Sequence, residues 1–121
     1  MPKTILAVDD STSMRQMVAF TLKGAGYQVD EAADGQQAFD IARTKGFDLV
    51  LSDVNMPVMD GIELIRQLRA LANYRFTPII MLTTEAGAEK KKQGKEAGAT
   101  GWIVKPFKPD QLLNTVKRVL G

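Results

Sequence analysis

The sequence predicts an α/β protein, a doubly wound parallel sheet of five strands with five helices on its two faces, and three observations support that class. Short apolar runs alternate five times with amphipathic stretches, giving the order βαβαβαβαβα. Three of the runs are almost continuously apolar, without polar alternation, as strands are when both faces are covered. The chain has 121 residues and no internal repeat, low-complexity tract or linker, so residues 1–121 are read as a single domain.

The first strand is ILAV (5–8). Met14, Met17, Val18, Thr21, Leu22 and Ala25 then fall at helical spacing, with Gly26 as a C-terminal stop. YQVDEA (27–32) reads as the second strand, and a less regular helix over Gln36 to Lys45 ends at Gly46. DLVL (48–51) is the third strand, followed by the stripe Leu64, Ile65, Leu68 and Leu71. PIIML (78–82) is the fourth, and a helix over Ala88 to Ala97 follows, interrupted by Gly94. WIV (102–104) is the fifth strand, and Leu112, Leu113, Val116, Val119 and Leu120 mark a last helix that runs to the end, so no output domain is expected. Right-handed crossovers place these helices on both faces of the sheet.

Composition narrows the function. Hydrophobic residues make up 45% and charged residues 25%, ordinary for a globular protein and unlike a disordered one. No apolar run approaches the roughly 18 residues that span a bilayer, and Met1 leads into a strand with no signal-peptide core, so a cytoplasmic protein without membrane insertion is expected. Cysteine is absent, which removes disulfides and thiolate metal sites. Histidine is absent too. The net charge of +2 does not imply nucleic acid, and no DNA-reading motif is present, so neither a nucleic-acid partner nor an oligomer is expected.

In such a sheet ligands gather beyond the carboxyl ends of the strands. Asp9 and Asp10 end the first strand, Asp53 the third, Thr83 the fourth and Lys105 the fifth. Two ionised carboxylates at about 4 Å repel by about 4 kcal/mol at an effective dielectric of 20, so the cluster needs positive charge. Lys105 is one source. A hard divalent cation is the other, and an all-oxygen set without His or Cys suits Mg²⁺ or Mn²⁺. A lone Asp at a strand end is commonly a helix cap or turn former, and Asp9 or Asp10 could simply precede a helix capped by Ser11 or Thr12. Caps alone explain poorly why five such residues share one edge.

VDDS (8–11), DVNMPVMDG (53–61), LTT (82–84) and KPF (105–107), in this order and at these separations, resemble the receiver domain of two-component response regulators over the whole chain. Asn55, Glu85 and the missing output domain bring it closest to the single-domain chemotaxis regulators of the CheY type. The resemblance implies a flavodoxin-like sheet in the order 2-1-3-4-5, an order for which CheY is itself the standard illustration and which is taken from the likeness. It implies that Asp53 accepts a phosphoryl group from phosphohistidine, with Mg²⁺ held by Asp9, Asp10, Asp53 and the backbone carbonyl of Asn55, Asp9 acting directly or through water. Lys105 and Thr83 would bind phosphoryl oxygens, Asn55 and Glu85 would tune slow self-dephosphorylation, Pro57 and Gly61 would shape the loop after Asp53, and Pro106 would follow a cis bond. Thr83 would also act in a switch with the aromatic residue three before the lysine, commonly Tyr or Phe in the family and here Trp102.

A chain without histidine cannot be the phosphohistidine donor, so a separate kinase is expected to supply the group; the resemblance implies that this is a histidine kinase of the chemotaxis type and adds a dedicated phosphatase as a partner. Lys90, Lys91, Lys92 and Lys95 crowd the fourth helix, with Lys108, Lys117 and Arg118 on or before the fifth, predicting a basic output face for an acidic segment of a flagellar motor switch protein or another effector. Two other functions share features of the site. A phosphorelay intermediate would pass the group to another protein's histidine. A haloacid-dehalogenase-type Mg²⁺ phosphatase would have a second Asp where Asn55 stands and a longer chain for its cap domain; flavodoxin-like cofactor binding is supported less.

Overall fold

Side chains on a strand alternate between the two faces of its sheet, so a strand covered on both sides must be apolar throughout. The computed structural model, which describes residues 2–84 and 88–120, shows how the covering is achieved. Strands β1 (Thr4–Val8), β2 (Gln28–Ala32), β3 (Leu49–Asp53), β4 (Ile79–Thr83) and β5 (Gly101–Val104) are all parallel, in the order β2-β1-β3-β4-β5. Helices α1 (Thr12–Gly24), α2 (Gly35–Thr44), α3 (Gly61–Arg69), α4 (Ala88–Ala97) and α5 (Pro109–Leu120) connect and follow them. Leu6, Val8, Val50, Ile79 and Met81 pack with Ala38, Leu64 and Ile65 on the side of α2, α3 and α4. Their neighbours Ile5, Ala7, Leu49, Leu51, Ile80 and Leu82 pack with Val18, Leu22, Leu112 and Val116 on the side of α1 and α5. The predicted five-stranded doubly wound fold is therefore the one observed.

Among the described residues, three helices begin on a side-chain cap. Ser11 Oγ accepts from the Met14 amide at 3.3 Å, Asp34 from Gln37 at 2.8 Å and Asp60 from Glu63 at 2.8 Å. Each satisfies an amide that the helix leaves without an internal partner. Asp9 and Asp10 precede a helix capped by Ser11, as the capping explanation allowed, and Asp9 also accepts from the Ser11 amide, while none of Asp9, Asp10 and Asp53 is itself one of these three caps.

Some predicted boundaries move for local reasons. The third strand starts at Leu49, one residue after Asp48, whose amide donates to Thr4 O and whose carboxylate accepts from the Thr4 amide, both at 2.8 Å, and it continues through buried Ser52 to Asp53. The stripe that predicted helix through Leu71 stops at Arg69; Leu71 instead precedes a 3₁₀ turn at Ala72–Tyr74. Pro78 lies before β4 and joins the ladder only as an acceptor, from Val50 N at 3.1 Å, having no amide hydrogen to give. Gly94 does not break α4: it lies against β4, where a Cβ would be 3.2 Å from Met81 Sδ, a close contact that glycine avoids. Among the described residues no helix is long and apolar enough to cross a membrane.

Candidate functional site

The parallel register brings the ends of β1, β3, β4 and β5 to one edge. Asp9 follows β1 and is 2% exposed, Asp53 closes β3 and is 9% exposed, and Asp10 is exposed at the mouth. One carboxylate oxygen from each of the three lies within 4.8 Å of the others. Lys105, just after β5, reaches across the edge: its Nζ is 3.0 Å from Asp9 Oδ2 and 3.4 Å from Asp53 Oδ2. Three carboxylates against one ammonium leave two negative charges uncompensated within the cluster, the charge of one divalent cation. An all-oxygen donor set of this kind fits Mg²⁺ or Mn²⁺ and suits zinc poorly.

Two of the three acids are further held by backbone. Asp53 Oδ1 accepts from the Val54 amide at 2.8 Å, and Asp9 Oδ1 from the Ser11 amide at 2.9 Å. Burial raises the Asp53 carboxyl above its usual 3.8, against the pull of the Lys105 charge; the Asp9 charge adds to the rise and the Val54 amide opposes it. Thr83 ends β4 beside this acid and is 4% exposed, and its carbonyl accepts from the Lys105 amide. The Lys105–Pro106 bond is cis, as the resemblance implied.

The connection after β3 is closed by the Gly61 amide, which donates to Val54 O at 2.8 Å. A Cβ on Gly61 would overlap the Asp53 carbonyl oxygen, so only glycine permits α3 to start this close to the acid. Asn55 is exposed in this loop, and Val58, exposed as well, carries a φ of 69°, a region β-branched residues rarely occupy. Glu85 lies outside the described residues. Trp102 pairs with Met81 in the β4–β5 ladder and is half-buried, with Lys91 Nζ 5.6 Å from its ring centroid. It lines a partly open pocket of about 10 Å³ together with Val54, Met81, Thr83, Lys90 and Lys91. Lys90, Lys92, Lys95, Lys108, Lys117 and Arg118 are exposed. The site thus gathers Asp9, Asp10, Asp53, Thr83 and Lys105, with Trp102 behind Thr83.

Arg15 was not singled out by the sequence, yet it donates to the Asp9 carbonyl at 2.8 Å and pairs with Glu31 at 3.2 Å. Its one visible signal is a cation early in α1 where no acid stands.

Residues 5–117 match the family model described as the response regulator receiver domain. The chain belongs to that family. The phosphate regulon transcriptional regulatory protein PhoB of Pseudomonas aeruginosa is 43% identical over 118 residues, covering 98% of this chain, which spans about half (52%) of that relative's length. The structure of the chemotaxis response regulator CheY4 of Vibrio cholerae superposes with a TM-score of 0.96 at 56% identity, over 99% of this chain and 100% of that one. The receiver domain of the sensor histidine kinase PA1611 of Pseudomonas aeruginosa, described with a magnesium ion coordinated in its active site cleft, gives 0.93 at 34% identity, over 100% of this chain and 99% of that one. The chain is accordingly a CheY-like receiver domain of two-component signalling, a class that works with histidine kinases and effectors.

Proposed function

We propose that this receiver domain is a phosphoryl-accepting switch, with Asp53 taking the group from a histidine kinase and losing it by slow hydrolysis. The observation that carries the reading is Lys105 Nζ standing between two buried carboxylates from different strands, 3.0 Å from Asp9 and 3.4 Å from Asp53. Asp53 Oδ1 is held by the Val54 amide, so Oδ2 is the oxygen that attacks phosphorus. The O–P bond forms as the N–P bond of the donor phosphohistidine breaks, and the electron pair returns to the imidazole nitrogen. Lys105 and the Thr83 hydroxyl hold phosphoryl oxygens at the edge of the sheet. Asp9, Asp10, Asp53 and the Asn55 carbonyl would hold Mg²⁺, which when bound neutralises charge on the transferring group. Asn55 and Glu85 adjust access of the hydrolytic water.

The output is a change at Trp102 and the lysines of α4 and α5, read by an acidic segment of an effector such as a flagellar motor switch protein. The likeness to a chemotaxis regulator supports that choice. The test is incubation with a ³²P-labelled histidine kinase domain and Mg²⁺. Label should move to the wild-type chain and be absent from Asp53→Asn and from reactions with EDTA; retention of label by Asp53→Asn would overturn the assignment.

A further inference from the structure

Every polar atom of Asp9 has a partner. Its amide donates to Ala32 O at 3.1 Å, Oδ1 accepts from the Ser11 amide at 2.9 Å, Oδ2 from Lys105 at 3.0 Å, and its carbonyl from Arg15 Nη1 at 2.8 Å. The first ties the Asp9 amide to β2, the second belongs to the local turn and the third to the lysine of the site. The fourth comes from Arg15, a side chain on α1 that binds the Asp9 carbonyl and whose own charge is answered by Glu31, 3.2 Å from Nε. Arg15 is 16% exposed in its side chain, so the guanidinium is ordered between β1 and β2 rather than solvated.

Its location is costly on two counts. A cation early in a helix opposes the helix dipole, and α1 has no acid in its first turn to offset it. A cation beside a metal site also repels the metal. Geometry is what remains to explain it: the planar fork can hold the Asp9 carbonyl and Glu31 at once, which a lysine ammonium does with less direction.

We infer that Arg15 is a positioning residue for the Mg²⁺ site, fixing the turn that presents Asp9 and Asp10 by tying the Asp9 carbonyl to β2. The inference rests on the reading of the acids as an Mg²⁺ site. It differs in sign from a simple field effect. Removing a positive charge near a cation site should tighten Mg²⁺ if charge alone mattered. Loosening the turn should weaken it, by about tenfold, the low end of the effect of losing an outer partner of a metal ligand.

The experiment is an MgCl₂ titration of ¹⁵N-labelled protein, following the Ser11 and Val54 amides, with circular dichroism showing each variant folded. Arg15→Met should bind Mg²⁺ about tenfold more weakly, Arg15→Lys about threefold more weakly, and Glu31→Gln, whose amide oxygen still accepts from Nε, close to wild type. Affinity equal to or tighter than wild type in Arg15→Met overturns the inference. Should that variant not fold, Arg15→Lys decides alone, weaker binding supporting the inference and unchanged binding sinking it. A wild-type chain with no Mg²⁺-dependent shift would overturn the metal reading itself, and this inference with it.

Discussion

Asp53 is held where its charge is least comfortable: burial raises its carboxyl most, Lys105 draws it back, Asp9 raises it again and the Val54 amide draws it back. The net shift is upward, so the folded chain binds this proton more tightly than the unfolded chain does. Stability therefore falls as pH rises from the unfolded value near 3.8 through the folded value, and above that window the loss is complete. Asp53→Asn has no such loss. In EDTA at pH 7 the variant should be more stable to urea than wild type by about 1 kcal/mol, with the gap closing as pH falls through the window. A gap that stays constant down to pH 3.5, or favours wild type, would refute this account. Adding Mg²⁺ should narrow the gap at pH 7, because a ligand that binds only the folded state stabilises it. This residue was legible in the sequence because a strand carries its register to its last side chain. Arg15 was not, because a helix side chain that folds back onto a carbonyl leaves no periodic trace.

At the scale of elements, the strand-to-helix passage after β3 is the tightest in the site. The Gly61 amide closes on Val54 O, and its missing Cβ leaves room for the Asp53 carbonyl and the Met81 side chain. Gly61→Ala should push the start of α3 away from β3, costing about 1–3 kcal/mol, the usual range for inserting a methyl group where none fits. Thermal unfolding would register the loss, and the Val54 amide resonance should move with it; an unchanged melting temperature would count against so close an approach. The elements themselves were readable because apolar runs and helical stripes differ in period, and Ala88–Ala97 was placed to the residue. Their ends were less so. Asp48 bonds Thr4, 44 residues away in sequence, through both its amide and its carboxylate, and α3 stops before Leu71, so neither end is fixed by the local pattern alone. Gly94 looked like an interruption only because nothing local announces Met81 Sδ beneath it.

Across the whole molecule, Thr83 at the sheet edge shares a pocket with Trp102 and with Lys90 and Lys91 of α4. The indole is half-buried with Lys91 over its ring, and with Thr83, Met81, Lys90 and Lys91 it lines that partly open pocket, which has room for about one water molecule. On the proposed reading, a phosphoryl group draws the Thr83 hydroxyl toward the site and enlarges that space for the ring to move. Trp102 is the only tryptophan, so its emission reports the step without interference. Mg²⁺ alone should change intensity modestly through the field of the acids. Beryllofluoride added with Mg²⁺ should shift the maximum to shorter wavelength as the ring leaves water and Lys91. Thr83→Ala should reduce that second change while leaving the response to Mg²⁺, since the variant lacks the hydroxyl that follows the phosphoryl group. If emission stays fixed on beryllofluoride binding, with occupancy established by ¹⁹F resonance, the signal leaves the site by a path that does not include Trp102.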